Sequence, residues 1–343
     1  MQAHVEGDRV RLGERGRERF YDARGYGHPV NGGLHLSRVE AAHLLYRGDL
    51  DTVDGMGFRA FLENADGLAS RFLVYKDLRD RGFYLTPARE GWVDSPAGVD
   101  FIVYPRGDGP WDDAVAYRVR VVAEQEPIAA SALGDVVLAV VDEESELTYL
   151  ETVRPEVSGT APTSTDHEAE AVLLEDRVLV WEPPAALHDE GFYGQPMGEN
   201  CDALQLSLVE AAYLADCDAL LMPAGREAIL TRGREAEGER FDRRLAVYAS
   251  LRARGVVPKT GFKFGADFRT YAAVSSVDDV GHSERLVRVL SPDHTFQPRE
   301  LSLDVRLAHG VRKEMAFALT EGRVADLGTG PDVDWLVARR LTP

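Results

Sequence analysis

Positive charge is scarce in this sequence, and lysine is its scarcest form. Of 39 basic residues only four are lysines, Lys76, Lys259, Lys263 and Lys313, and the net charge is −19. This composition is typical of proteins that stay soluble in concentrated salt, because carboxylates keep the surface hydrated. It excludes a broad basic surface of the kind that many nucleic-acid binders use. Concentrated salt nevertheless screens charge beyond a few ångströms, so individual arginines can still contact phosphates.

Cysteines and long apolar segments are also rare. Cys201 and Cys217 are the only cysteines and form no Cys-x-x-Cys pair, which excludes a disulfide framework and a cysteine-based zinc site. No run of about 18 apolar residues occurs, so no membrane span is expected. The first residues lack the basic and then apolar pattern of a signal peptide. We therefore expect a cytoplasmic protein with reduced thiols and no membrane association.

Phosphate-binding loops are missing as well. Neither the Gly-x-x-x-x-Gly-Lys pattern nor the Gly-x-Gly-x-x-Gly pattern occurs, so the common nucleotide-binding classes are disfavoured. The hydrophobic content of 44% is ample for packed cores, which excludes a disordered chain.

The chain consists of two copies of one ancestral unit. Segments of the first half recur in the same order 167 to 173 residues later. They include Asp8–Val10 with Asp176–Val178, Tyr26–Pro29 with Tyr193–Pro196, Leu34–Ala42 with Leu204–Ala212, and Asp100–Tyr104 with Asp267–Tyr271. Such a duplication predicts two structurally equivalent halves. The stretch of small residues and proline between them, 158–168, is the expected linker.

Each half divides into two modules with mixed helix and strand patterns. Ser37 and Ser207 are each followed three residues later by a glutamate, which is the signature of a capping box at a helix N-terminus. We expect an α+β fold built from mixed α/β modules. The predicted modules are 1–67 and 68–157 in the first half, then the linker 158–168, then 169–238 and 239–343 in the second half.

The rear module of the second half has a clear pattern of elements. Apolar residues at helical spacing before Gly255 predict a helix that ends there. Strands are predicted at 267–274 and 285–290, with a turn at 292–298. A further helix is predicted from residues that follow one another at spacings of three and four, namely Leu303, Arg306, Leu307, Gly310 and Lys313.

The two halves differ at residues that can perform chemistry. Three segments of the second half carry a tyrosine, a histidine and a lysine, and these segments are Gly261–Tyr271, Gly281–Glu284 and Val311–Glu314. The first half keeps a tyrosine, Tyr104, but alignment puts Ala114 opposite His282, and no lysine matches Lys313. A Tyr/His/Lys set can move protons and stabilise a phosphorane without a metal ion. The difference predicts an active repeat beside a scaffold repeat.

Together the three segments resemble the motifs of archaeal tRNA-splicing endonucleases, the enzymes that excise introns from precursor tRNA. The resemblance covers essentially the whole chain, since the two-repeat layout and the capped front helices also fit. It implies RNA cleavage that needs neither metal nor cofactor and leaves a 2′,3′-cyclic phosphate and a 5′-hydroxyl. Together with the acidic composition, it also implies a homodimer from a halophilic archaeon that acts on precursor tRNA, at splice sites in two bulges separated by a short helix.

The resemblance assigns a catalytic role to three residues. Tyr271 would be the general base on the 2′-hydroxyl, His282 would protonate the leaving 5′-oxygen, and Lys313 would stabilise the phosphorane. Histidine titrates near neutrality and lysine carries a compact positive charge, so both types suit these tasks. Tyrosine is a weak base at neutral pH, so Tyr271 could instead position the hydroxyl. Taken singly, the three residues could also be a strand aromatic, a turn histidine and a solvated helix lysine.

The resemblance also points to contacts with RNA and with a partner chain. Arg306 matches an arginine with which the family binds bulged bases. A guanidinium suits this contact because it can stack on a base and hydrogen-bond a phosphate at once. Arg269 and Arg312 are further candidates, although each could be a surface ion-pair partner. No second clamping arginine is identified near Gly328. An acidic segment matches a loop that contacts the opposing chain's catalytic unit, although it could be only a solvated turn; its residues are Asp142, Glu143, Glu144 and Glu146.

Two other functions are compatible with parts of the sequence. A metal-dependent nuclease of the restriction-enzyme type would use Asp267 as a ligand, but it needs a nearby Glu-x-Lys that is missing. It also leaves His282 and Lys313 without a role. A non-catalytic structural or RNA-binding subunit would have lost the Tyr/His/Lys set, and only the first half shows such a loss. We therefore predict a metal-free endonuclease.

Overall fold

The computed structural model describes residues 3–162, 165, 168–198, 202–274, 281–322, 327 and 330–343. Cys201 and Gly328 lie outside these ranges. Helices and strands are mixed throughout, as the expected α+β class requires. Among the described residues, no helix has the length and the apolar character that crossing a membrane requires.

The chain begins with a small antiparallel sheet covered by helices. Its strands are β1 (Ala3–Glu6), β2 (Arg9–Gly13), β3 (His28–Val30) and β4 (Gly33–Ser37), in the order β1-β2-β4-β3. Its helices are α1 (Glu14–Gly16), which continues into a π-helical turn at Arg17–Asp22, then α2 (Arg38–Tyr46), α3 (Phe58–Glu63) and α4 (Leu68–Asp80).

The rear part of the first half contributes one side of a large sheet. Its strands are β5 (Leu85–Pro87), β6 (Phe101–Val103), β7 (Tyr117–Ala123), β8 (Ile128–Ala129), β9 (Val136–Val141) and β10 (Leu147–Val153). A 3₁₀ turn at Ala130–Ala132 is the only helical structure between β7 and β9. This part of the first half therefore lacks a full helix between those two strands.

The second half repeats this sequence of elements. Its front part has β11 (Ala169–Leu173), β12 (Arg177–Trp181), a π-helical turn at Ala186–Glu190, β13 (Gln195–Pro196), β14 (Ala203–Ser207), α5 (Leu208–Asp216), β15 (Leu220–Leu221), α6 (Gly225–Glu237) and α7 (Glu239–Ala253). Its rear part has β16 (Val257–Thr260), a 3₁₀ turn at Phe262–Phe264, β17 (Phe268–Tyr271), β18 (Arg285–Leu290), β19 (Thr295–Phe296), α8 (Pro298–Gly310), β20 (Glu314–Leu319) and β21 (Asp334–Leu341).

Both predicted capping boxes are confirmed. In α2 the Ser37 hydroxyl accepts the Glu40 amide at 3.3 Å, and the Glu40 carboxylate accepts the Ser37 amide at 2.8 Å. Ser207 and Glu210 make the same pair of bonds at the start of α5. The two front helices therefore begin in the same way because each box satisfies two backbone donors that the helix leaves unpaired.

The two halves meet in one ten-stranded sheet of order β16-β17-β18-β20-β21-β10-β9-β7-β6-β5. The strands of one half are thus repeated in reverse order in the other, and the antiparallel pair β10–β21 lies at the centre. Across that pair, Glu151 faces Arg339 and forms an ion pair of 2.6 Å with it. A single apolar core lies on one face of the sheet and contains residues of both halves, such as Leu138, Leu150, Leu301 and Phe317.

The strand registers give an exact correspondence between the two halves. Phe101 faces Val119 as Phe268 faces Val287, and Val119 faces Val137 as Val287 faces Ala316. Counted back from these pairs, His282 corresponds to Ala114, in agreement with the sequence alignment. Lys313 corresponds to Gly134, for which the sequence offered no match.

One prediction about the rear module was wrong. Lys313 does not belong to a helix, because α8 ends at Gly310 and a turn at Val311 and Arg312 leads into β20. Leu303 and Leu307, which belong to the residues at spacings of three and four, are exposed on the solvent face of α8. Its buried face consists of Leu301, Val305 and Ala308.

The turn predicted at 292–298 contains a short strand. Thr295 and Phe296 pair with Ala129 and Ile128 of the first half, so this segment joins the two halves in addition to β10–β21. The helix predicted to end at Gly255 is confirmed: α7 ends at Ala253, and Gly255 has the positive φ of +70° that follows such helix ends.

Candidate active site

The candidate catalytic residues lie at the ends of three neighbouring strands. Together these ends form one edge of the sheet, in the sense of the side formed by strand ends and not of an outermost strand. Thr270 faces Arg285 across β17 and β18, and Arg285 faces Glu314 across β18 and β20. Tyr271 ends β17, and Lys313 directly precedes β20. When both registers are continued by one residue, Glu284 lies between Tyr271 and Lys313.

Backbone hydrogen bonds tie this edge together. The Glu284 amide donates to the Thr270 carbonyl at 3.1 Å, and the Glu284 carbonyl accepts the Glu314 amide at 3.0 Å. The Glu284 carboxylate accepts the Ala272 amide at 3.1 Å. His282 lies two residues before Glu284. The structure therefore brings the ends of all three predicted motifs together, and Glu284 joins them.

The Lys313 ammonium is held in place by the motif that carries the histidine. Its Nζ donates to the Ser283 carbonyl at 2.6 Å, and its backbone amide donates to the Ala308 carbonyl at 2.9 Å. Partial burial and the Arg269 guanidinium lower the pKa of Lys313, and the nearby Glu284 carboxylate opposes this shift. A cation beside a second cation is favourable for an anion that binds between them.

His282 is exposed on the loop that leads into β18. It follows Gly281, whose φ of +68° is in the left-handed region, and precedes the buried Ser283. The imidazole is therefore open to a substrate while the backbone next to it is fixed by the bond from Lys313.

Tyr271 is the most buried of the three, with 7% of its surface exposed. Its ring packs in a small apolar cluster with Ala161, Phe192 and Val257, and the Arg269 guanidinium carbon lies 5.8 Å from the ring centroid. In the first half, the corresponding Tyr104 donates a hydrogen bond of 3.0 Å to Thr86. Burial thus fixes the tyrosine ring in both halves.

Lys259 is a residue that the sequence analysis did not single out. It takes the place of Thr86 in the first half. Lys259 lies two residues after the residue that faces Tyr271 across its strand pair, and Thr86 lies two residues after the residue that faces Tyr104. Its ammonium donates to the Gly194 carbonyl at 3.0 Å and lies 3.9 Å from Glu210. Burial lowers the pKa of Lys259. Lys259 therefore links β16 of the ten-stranded sheet to the capping box of α5.

Arg269 lies between two lysines. It faces Lys259 across the strand pair, and its charge also contributes to the lowered pKa of Lys313. Its Nε is buried and has no hydrogen-bond partner among the residues that the structure describes. Arg312 is exposed and has a φ of +58°, a strained value for a residue with a side chain, in the turn before Lys313.

Arg306 lies at a different place from the other predicted RNA contacts. On α8 it lines a groove together with Arg299 and the predicted acidic loop, whose residues are Asp142, Glu143, Glu144 and Glu146. Arg306, the candidate RNA contact, and the acidic loop, the candidate dimer contact, are therefore neighbours within one chain. This arises because α8 has no full counterpart in the first half and packs over the core that both halves share.

The acidic loop is a tight turn with an internal support. One oxygen of Asp142 accepts the amides of Glu144 at 3.0 Å and of Glu146 at 2.8 Å. Glu143, Glu144 and Glu146 are exposed. The carboxylate of Asp142 thus shapes the turn, and the three glutamates are the groups that face solvent.

The first half has no equivalent constellation. Ala114 replaces the histidine, and Gly134, with a φ of +112°, replaces the lysine. The Arg154 side chain packs over Gly134 and donates to the carbonyls of Leu133 and Ala130 at 3.1 and 2.9 Å. The guanidinium that lies next to Gly134 is therefore engaged in structural bonds. Within the described ranges, no group of three or more metal-ligating side chains is gathered.

Three segments of the chain match models of one protein family. Residues 241–325 match a family model described as the catalytic C-terminal domain of tRNA intron endonuclease. Residues 1–62 and 169–231 each match the N-terminal domain of the same family.

Several full-length relatives share one name. The chain is 61% identical to a tRNA-splicing endonuclease of Haloarcula marismortui and 60% identical to one of Natronomonas pharaonis, with all of each chain covered. It is 38% identical to a tRNA-splicing endonuclease of Methanosarcina mazei, with 94% of this chain and 96% of the relative covered.

Proposed function

This chain belongs to the tRNA-splicing endonuclease family, and we propose that it excises introns from precursor tRNA by metal-independent cleavage at both splice sites. The observation that carries the proposal is that the ends of the three segments with Tyr271, His282 and Lys313 lie together at one edge of the sheet, within the part of the chain that matches the catalytic domain. The acidic composition and the haloarchaeal relatives agree in indicating a halophilic archaeal protein.

The proposed reaction is an in-line attack of a ribose 2′-oxygen on the adjacent phosphorus. Tyr271 takes the proton of the 2′-hydroxyl, the bond from phosphorus to the 5′-oxygen breaks, and His282 gives its proton to that oxygen. Lys313, supported by the charge of Arg269, stabilises the negative charge of the phosphorane. The products are a 2′,3′-cyclic phosphate and a 5′-hydroxyl, so no water enters the step and the enzyme acts as a lyase.

We propose that each half has a front module, 1–67 or 169–238, which supports its rear module, 68–157 or 239–343. The linker 158–168 joins the two halves. Only the last module carries the complete catalytic set, whereas a substrate with two bulges needs two cuts. A two-fold homodimer would supply two sites at a fixed separation, and closed two-fold pairing is the commonest oligomeric state. The cytoplasmic location expected from the sequence stays a prediction.

The proposed function is tested with a prefolded RNA that contains two bulges separated by a short helix. We expect cleavage at both bulges in excess EDTA, with 2′,3′-cyclic phosphate and 5′-hydroxyl ends. The matched control is the same RNA with 2′-deoxyribose on the 5′ side of each scissile phosphate, which lacks the attacking oxygen and should stay intact. Cleavage of the deoxy substrate, or activity that returns only with Mg²⁺, would contradict the mechanism.

We further propose that the acidic loop contacts the partner chain through its exposed glutamates. Replacing Glu143, Glu144 and Glu146 with glutamine, while keeping Asp142 to preserve the turn, should shift the protein toward monomer and lower cleavage several-fold. Light scattering and a cleavage assay measure the two effects.

A second variant separates a local contact from a change in overall charge. Glutamine in place of the exposed Glu168, Glu170 and Glu175 changes the net charge equally and should leave both dimer and activity intact. A loop variant that is still dimeric and fully active would mean that the loop is only a solvated turn.

A further inference from the structure

One aromatic side chain beside the candidate active site is almost completely exposed. Phe262, at the start of the 3₁₀ turn between β16 and β17, has 86% of its surface in solvent. The next most exposed large apolar side chain in the described part of the chain is Val115, at 53%. Exposing a phenyl ring to this extent is unfavourable, which makes Phe262 a candidate for contact with a ligand.

The turn presents this ring rigidly. The Gly261 carbonyl accepts the amides of Phe264 at 2.8 Å and Ala266 at 3.3 Å, and Gly265 takes a φ of +68°. A Cβ added to Gly261 would lie 2.8 Å from the Ala266 carbonyl oxygen, so the backbone is closely packed. Because the turn is held by its own bonds, Phe262 is fixed in an outward position before any ligand arrives.

The same turn borders the catalytic lysine. Phe264, two residues after Phe262, packs against the apolar core that both halves share and that α8 covers. Its ring centroid lies 6.0 Å from the Lys313 ammonium. Between the two aromatics stands Lys263, an exposed residue and one of only four lysines in the chain. An aromatic and a cation thus project together beside the proposed site of cleavage.

The first half keeps the frame of this turn. The Asp100 carboxylate accepts the Val121 amide at 2.8 Å, as the Asp267 carboxylate accepts the Val289 amide at 2.8 Å. The aspartates correspond, and so do the glycines two residues before them, Gly98 and Gly265, which both have positive φ. The backbone frame therefore does not depend on the residues that precede these glycines.

The side chains within the frame differ completely. Where the second half has Phe262, Lys263 and Phe264, the first half has 95–97, which read Ser-Pro-Ala. The half that lacks the histidine and the lysine of the catalytic set thus also lacks the aromatic and the cation of the turn. This parallel loss associates the turn with the substrate rather than with folding.

We propose that Phe262 is a stacking platform for an unpaired nucleobase next to the cut, and that Lys263 contacts the adjoining phosphate. The proposal rests on the proposed function, because it takes the RNA of that reaction as the ligand. Aromatic side chains bind splayed RNA bases by stacking, and each such contact contributes substantially to affinity without reading the sequence. The Lys263 ammonium next to the ring supplies a positive charge that attracts the phosphate backbone of RNA.

The test uses the full-length protein and the prefolded RNA with two bulges, made non-cleavable by 2′-deoxyribose at both cut sites. Phe262→Ala should weaken binding by about 10- to 100-fold. Phe262→Trp should bind like wild type, because a larger π surface is kept. Phe262→Leu, which is apolar but has no π face, should remain impaired; binding like wild type in the leucine variant would overturn stacking.

Changes in the RNA identify the base. An abasic site at the stacked position should weaken binding to the wild type by the same factor, and Phe262→Ala should then cause no further loss. Lys263→Gln should weaken binding equally for intact and abasic RNA, because a phosphate contact does not depend on the base.

The remaining outcomes separate this proposal from the proposed function. If the wild type cleaves and Phe262→Ala binds normally, or if no abasic site cancels its defect, stacking is refuted while the endonuclease stands. If Phe262→Ala turns a dimer into a monomer in light scattering, the ring belongs to a protein interface and the proposal fails. If the wild type does not cleave the RNA at all, it is the proposed function that fails.

Discussion

Replacing His282 with alanine is expected to lower the rate of cleavage by roughly 10²- to 10⁴-fold, which is the usual contribution of a general acid. Binding of non-cleavable RNA should change by no more than about twofold, because the imidazole is exposed and the bond that fixes its loop is made by the Ser283 backbone. Single-turnover cleavage at saturating enzyme measures the first quantity, and binding to the 2′-deoxy RNA measures the second.

A change of leaving group tests the role of His282 specifically. With sulfur in place of the 5′-oxygen at the cut, the leaving thiolate needs no proton, so the His282→Ala variant should cleave at nearly the wild-type rate. A matched control is His4→Ala, which removes an exposed histidine of the first strand that pairs with Asp54 and should leave the rate unchanged. If the sulfur substrate restores nothing, His282 acts in some way other than protonating the leaving group.

The repeated architecture could be predicted because duplication preserved local signals. The serine and glutamate of each capping box lie three residues apart, and the apolar residues before Gly255 lie at helical spacing. These signals depend only on neighbours in the chain. The assignment of Tyr271, His282 and Lys313 to the site stays a prediction, and it depends on a related signal: each stands in a short segment that the other half has altered.

The orientation of α8 could not be predicted from the sequence. Two apolar stripes run along this helix, and the one with Leu303 and Leu307 follows a helical period as well as the one with Leu301 and Val305. The second stripe is buried because it meets a core to which both halves contribute, and that core exists only after β10 and β21 pair. Local periodicity cannot choose between two faces when the choice is made by distant strands.

The supporting residues of the site also escaped prediction. Lys259 contacts Gly194 and Glu210, which are far away in sequence, so its role is visible only in the folded chain. Glu284 belongs to the segment that carries His282, but its position between Tyr271 and Lys313 depends on two strand registers. Likewise, Arg306 and the acidic loop were predicted to act in separate contacts, and the fold places them in one groove.

Replacing Lys313 with alanine is expected to lower the rate of cleavage by roughly 10²- to 10³-fold, the effect typical of removing one group that stabilises developing charge. Part of the loss should come from His282, because the ammonium donates to the carbonyl of Ser283, which adjoins the histidine. The double variant, His282→Ala with Lys313→Ala, should therefore lose much less than the product of the two single losses. Single-turnover rates of the four proteins complete this cycle.

Two further substitutions separate charge from positioning. In Lys313→Gln the side chain can still donate a hydrogen bond but carries no charge, so we expect it to be nearly as slow as Lys313→Ala. Lys76→Ala removes another of the four lysines, one that pairs with Asp80 on the surface of α4, and should cleave normally. Recovery of the rate by glutamine would mean that Lys313 only holds the loop of His282, because a neutral amide cannot replace a cation opposite a dianionic phosphorane.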